Sequence, residues 1–147
     1  METFSYNHVL NTVAKLYEKG LYHQAIELLE ELISKNTNDD DLNFKLGFLY
    51  SKVYNFEKAI FNYRKAVELK PQQFEYNYNY AIVLSENGNY ELAIEYFNKA
   101  LELKNNDINC IYNIGCTLKR ANKFKEAIQV FENVLDINPN HAESIYN

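Results

Sequence analysis

The residues best suited to chemistry are three histidines, three consecutive aspartates and two cysteines, and their spacing argues against a reacting centre in each case. His8, His23 and His141 fall on different segments. None is four residues from another, the spacing that puts two imidazoles on one helical face for zinc. Asp39, Asp40 and Asp41 lack the glycine and distal glutamate of a calcium loop. They precede an apolar segment, where acids complement the positive end of a helix dipole. Cys110 and Cys116 are six apart on one expected helix and point about 120° apart around its axis, so they are read as separate, reduced and buried thiols. Gly20, Gly47, Gly88 and Gly115 belong to no phosphate-cradling loop, and no serine sits in a nucleophile elbow. Within these residues the sequence points to no enzyme, no metal site and no cofactor.

Charge narrows the partners. The net charge is −5 with no stripe of Lys or Arg, so a nucleic-acid backbone finds no electrostatic attraction here. The opening residues Met1 to Ser5 are neither basic nor followed by a long apolar run, so neither a signal peptide nor a membrane span is expected. The cytoplasm is the expected compartment, and another protein the expected partner.

The elements that position any binding residue are set by a recurrence. Tyr22, Phe56, Tyr90 and Phe124 each stand three residues before an Ala-Ile pair, at Ala25, Ala59, Ala93 and Ala127, and successive copies are 34 residues apart. A fixed period of this length marks a supersecondary unit duplicated along the chain. The apolar spacing predicts helices near 6–19, 22–34, 40–53, 56–69, 74–87, 90–103, 108–121 and 124–137, with a short ninth after Asn140. Ser5 is the expected first N-cap. Gly20, Gly88 and Asn122 occupy the turns within pairs; Tyr54 holds the same place and implies a different or strained turn. Gly47, Ala81 and Gly115 are expected to face Ala59, Ala93 and Ala127 at close crossings, with Tyr63, Phe97 and Phe131 filling wider gaps between layers. Val13 takes the small position in the first pair, which predicts looser packing or a shifted crossing there.

This pattern of small residues, aromatics, Pro71 and Pro139 resembles the tetratricopeptide repeat family, over about residues 6 to 139. The resemblance implies an all-α, right-handed superhelix, an α-solenoid of antiparallel helix pairs. Its repeats would be 6–39, 40–73, 74–107 and 108–141, with 142–147 starting a further repeat or a capping helix. A unit that begins at Asn138 and stops inside a helix carries the expectation of a longer protein.

In that family the first helix of each pair lines a concave groove that binds a peptide or helix of a partner. Carried over by position, the lining is Leu10, Asn11, Ala14 and Tyr17, then Phe44, Lys45, Phe48 and Lys52. It continues with Tyr78, Asn79, Ile82 and Glu86, then Tyr112, Asn113, Cys116, Lys119 and Arg120. Asn11, Asn79 and Asn113 share one slot, with Lys45 in the remaining repeat, and resemble the asparagine ladder of some members, which pairs with peptide backbone. The basic and amide set with which chaperone-binding members clamp two carboxylates is absent in either register. The resemblance therefore implies a non-catalytic protein-interaction module. Two other readings accompany it: the targeting region of a larger enzyme such as an O-GlcNAc-type glycosyltransferase, and a scaffold that self-associates through its last helix. Glu57, Lys58, Glu91 and Lys125, on the second helices, are expected to be neutral to binding.

Overall fold

The computed structural model describes residues 6–35, 38–141 and 143–144. Among them there are eight helices and no strand: α1 (Tyr6–Glu18), α2 (Tyr22–Ser34), α3 (Asp40–Lys52), α4 (Phe56–Leu69), α5 (Phe74–Glu86), α6 (Tyr90–Leu103), α7 (Ile108–Arg120) and α8 (Phe124–Ile137). The chain divides into two compact units, Met1–Pro71 and Gln72–Asn147. In the first, α1 packs on α2, α2 on α3 and α3 on α4; in the second, α5 packs on α6, α6 on α7 and α7 on α8. The Ser5 cap and most of the expected ninth helix lie outside the described residues; of that last segment, Glu143 and Ser144 are helical.

Every first helix stops one residue short of the sequence expectation because the same turn cuts it off. Gly20, Tyr54, Gly88 and Asn122 have φ of 71, 58, 84 and 59°. Each donates its N–H three residues back, and the following residue donates five residues back, as in Asn55 to the Tyr50 carbonyl at 3.0 Å and Lys123 to the Leu118 carbonyl at 2.9 Å. This is the Schellman arrangement, in which a left-handed residue satisfies the orphan carbonyls of a helix end. Tyr54 therefore does not build a different turn: it adopts the left-handed one, at a steric cost glycine would not incur.

Side-chain caps open α3, α4 and α7. Asp39 accepts from the Leu42 N–H at 2.9 Å and Asp107 from the Cys110 N–H at 3.0 Å. The aspartate cluster is thus accounted for: Asp39 caps α3 and accepts from the Tyr6 hydroxyl, Asp40 pairs with Lys70, and Asp41 pairs with Lys45 one turn on.

At two of the crossings a ring of the second helix comes close to the glycine of the first. A Cβ on Gly47 would lie 2.8 Å from the Tyr63 ring, and one on Gly115 would lie 2.6 Å from Cε1 of Phe131. The ring of the second helix thus sits over the glycine of its own pair in α3–α4 and in α7–α8. In three pairs the second-helix ring also meets an aromatic of the first helix, with ring centroids 5.5 Å apart for Phe44 and Tyr63, 5.9 Å for Tyr78 and Phe97, and 5.6 Å for Tyr112 and Phe131. Spacing places these residues on the inward faces but does not say that the ring reaches the glycine, because the larger side chain takes whatever space the missing one leaves. α1 buries only Val13, in agreement with a looser first pair.

Two substitutions test these contacts. Tyr54→Gly should stabilise the fold by about 1 kcal/mol through release of the left-handed strain, read as a higher urea midpoint. Gly115→Ala should destabilise by about 1–2 kcal/mol, because displacement of the Phe131 ring outweighs the better helix propensity of alanine.

Candidate functional site

The first unit brings most of its expected lining residues together. Leu10, Ala14 and Tyr17 of α1 and Phe44, Lys45 and Phe48 of α3 border one depression of about 180 Å³. Its walls are apolar because Val13 is the one residue α1 commits to the core, and Tyr17 is left 37% exposed. Tyr17 and Phe48 hold each other at 5.5 Å between ring centroids, and Tyr17 also meets Tyr22 at 5.6 Å. The Lys52 ammonium lies 4.9 Å from the Phe48 ring, so a cation borders the apolar surface. Lys45 is tied to Asp41. Asn11 is exposed and does not line the depression.

The second unit is more polar at the corresponding place. Ile82 and Glu86 of α5 face Asn113, Cys116 and Arg120 of α7 around a hollow of about 120 Å³. Arg120 pairs with Glu86 at 2.7 Å, so part of the basic end expected from the sequence is neutralised; Lys119 is exposed. Tyr78 stacks on Phe74 at 5.5 Å and Tyr112 contacts His141 at 5.1 Å. Burial, followed by the nearby Cys110 and Asp107, raises the Tyr78 phenol above its usual range.

The asparagines of the shared slot engage different groups. Asn79 donates to the Glu75 carbonyl of its own helix at 2.8 Å, and Asn113 donates to the Tyr78 hydroxyl at 2.8 Å. Each amide thus has one N–H engaged inside the unit, which holds the side chain in place. Nearby, the Cys110 thiol is fully buried and donates to the Phe97 carbonyl at 3.3 Å. Burial, with Asp107 adding to it, pushes that thiol up to about 12. Cys116 is only half-buried, so the expectation of two buried thiols holds for one of them.

One polar network had no place in the sequence reading. Tyr50 donates to Glu30, and Lys58 donates to the Tyr50 hydroxyl at 3.1 Å while its ammonium lies 3.6 Å from Glu30. Lys58 thus ties α2, α3 and α4 together. The available signal was Tyr50 itself, which stands where the next two repeats have Leu84 and Leu118. Among the described residues, no three His, Cys, Asp or Glu side chains gather as metal ligands, and no helix is long and apolar enough to cross a membrane.

The family model for anaphase-promoting complex, cyclosome, subunit 3 matches residues 52–146. Several solved structures share the fold. YrrB, a TPR protein with an unusual peptide-binding site, has 21% identity and a TM-score of 0.87, covering 95% of this chain and 72% of that one. A MamA crystal structure has 21% identity and a TM-score of 0.82, covering 90% and 77%. MamA from Desulfovibrio magneticus RS-1 has 18% identity and a TM-score of 0.84, covering 92% and 77%. No curated protein matches the chain. At these identities the likeness is one of fold: all-α helix pairs of the tetratricopeptide repeat type.

The Tyr50 network predicts an alkaline limit to stability. Burial first, then the bond to Glu30, raises the Tyr50 phenol, and the bond to Tyr50 raises the Lys58 ammonium. Both groups hold their protons more tightly when folded, so their contribution is full below the unfolded values near 10 and fades as pH rises through the folded ones. The urea midpoint should fall between pH 9 and roughly pH 11, and Tyr50→Phe should reduce that fall while lowering the midpoint at neutral pH.

Proposed function

We propose that this chain, which belongs to the anaphase-promoting complex, cyclosome, subunit 3 family, is a protein-interaction module whose first helices bind a peptide or helix of a partner protein. The observation that carries this reading is the apolar depression of the first unit. Tyr17, Phe44 and Phe48 surround a hollow of about 180 Å³ that would accept a large apolar side chain. YrrB, with its peptide-binding site on a similar fold, supports the same use. Lys52 beside Phe48 favours a carboxylate near the anchor. In the second unit, Tyr78, Tyr112 and Ile82 would supply apolar contact, and Asn79 and Asn113 would offer their remaining amide groups to a peptide backbone. Each helix pair is read as one repeat. Free thiols at Cys110 and Cys116 suit a reducing compartment, and the reading places the module in the cytoplasm.

The test begins with capture of partners from the source cell on the intact chain and on Phe48→Glu. A peptide from a captured partner is then titrated by calorimetry. Phe48→Ala should weaken binding by about 2 kcal/mol with little dependence on salt, while Glu57→Ala and Lys125→Ala should leave it unchanged. Equal affinity for Phe48→Ala, with a loss in the Glu57 and Lys125 variants, would move the interface to the second helices.

A further inference from the structure

The second-helix face of the first unit carries side chains that helix packing does not require. Between α2 and α4, floored by Leu46 and Tyr50 of α3, lies a depression of about 230 Å³. Phe61 forms one wall and is 47% exposed; Ile33 forms part of the wall opposite. The Lys65 ammonium sits 4.6 Å from the Phe61 ring centroid. That contact keeps the charge at the rim while the lysine stem lies along apolar surface.

Two comparisons within the molecule set this place apart. First, the lining holds Lys58 and Lys65 against the single carboxylate of Glu30, a local positive balance in a chain of net charge −5. Lys58 shares its charge with Glu30 and Tyr50, whereas Lys65 has no carboxylate partner among the described residues. Second, two repeats further on, Tyr50, Lys58, Phe61 and Lys65 are replaced by Leu118, Glu126, Gln129 and Asn133. The second unit forms the same helix pairs with those residues. The scaffold therefore needs neither the exposed aromatic nor the cation.

We propose that this depression binds an acidic segment of a partner protein, with an aliphatic side chain seated between Ile33 and Phe61 and a neighbouring carboxylate on the Lys65 ammonium. The aromatic wall supplies apolar area with little loss of side-chain freedom, and the unshared lysine selects the sign of the charge beside it. A basic segment would meet like charge at Lys58 and Lys65.

The probe is the blocked peptide acetyl-Glu-Leu-Glu-Leu-Glu-amide, titrated at low salt into the ¹⁵N-labelled chain and followed by amide chemical shifts. Saturable shifts should gather at Ile33, Phe61, Asn62 and Lys65, and be absent with the peptide in which lysine replaces glutamate. Lys65→Glu should weaken binding about fivefold or more, and Lys65→Gln by less. Phe61→Ser should remove the Leu-dependent shifts. Both positions are accessible to solvent, and an unchanged circular dichroism spectrum confirms that each variant folds. Phe48→Glu should leave this titration as it was, which separates the site from the first-helix depression. No shifts at millimolar peptide, shifts confined to the surroundings of Phe48, equal shifts with the lysine peptide, or undiminished binding to Lys65→Glu would each overturn the proposal.

Discussion

The structure depends on one steric match: a ring on the second helix of a pair lying where the first helix has no side chain. Tyr63 over Gly47 and Phe131 over Gly115 set how closely the two helices approach. Both rings are almost completely buried, and burying such a side chain contributes roughly 1.5–3 kcal/mol. The same rings touch Phe44 and Tyr112 on the first helices. The contact that fixes the spacing of a pair therefore also orients the aromatics proposed to meet a partner, so on that proposal packing and recognition share their side chains.

The turns within pairs show a fold tolerating a local conflict. Four times the chain reverses through a left-handed residue with the same pair of backbone bonds. Glycine or asparagine suits that backbone at three of the four places. At the fourth, Tyr54 is 80% exposed and meets Phe56 edge-on at 6.1 Å. The two backbone bonds and the packing of α3 on α4 hold the turn against its side chain.

Much of this was legible in the sequence, for a physical reason. The 34-residue recurrence carries apolar positions that are each diagnostic of one helix face, so the helix limits read correctly to within a residue. The one-residue error at each first helix arose because the residue before the left-handed one already bends away. Which side chains meet across a pair was less legible: spacing says what faces inward, whereas the partner of Gly47 depends on how far the Tyr63 ring reaches. The depression at Tyr17 and Phe48 followed from positions carried over from a known family. The one at Phe61 did not, since it lies among the second helices, where no binding position was carried over, and its exposed aromatic breaks the repeat.

The burial of Cys110 has a practical corollary. A thiol held in the core and hydrogen-bonded to the Phe97 carbonyl offers almost no thiolate at neutral pH. Cys116, on the same helix but half-buried, borders the hollow with Ile82 and Arg120. A maleimide dye added to the unmodified chain would attach at that one sulfur, giving a fluorescent reporter on the first-helix wall of the second unit without any engineered cysteine.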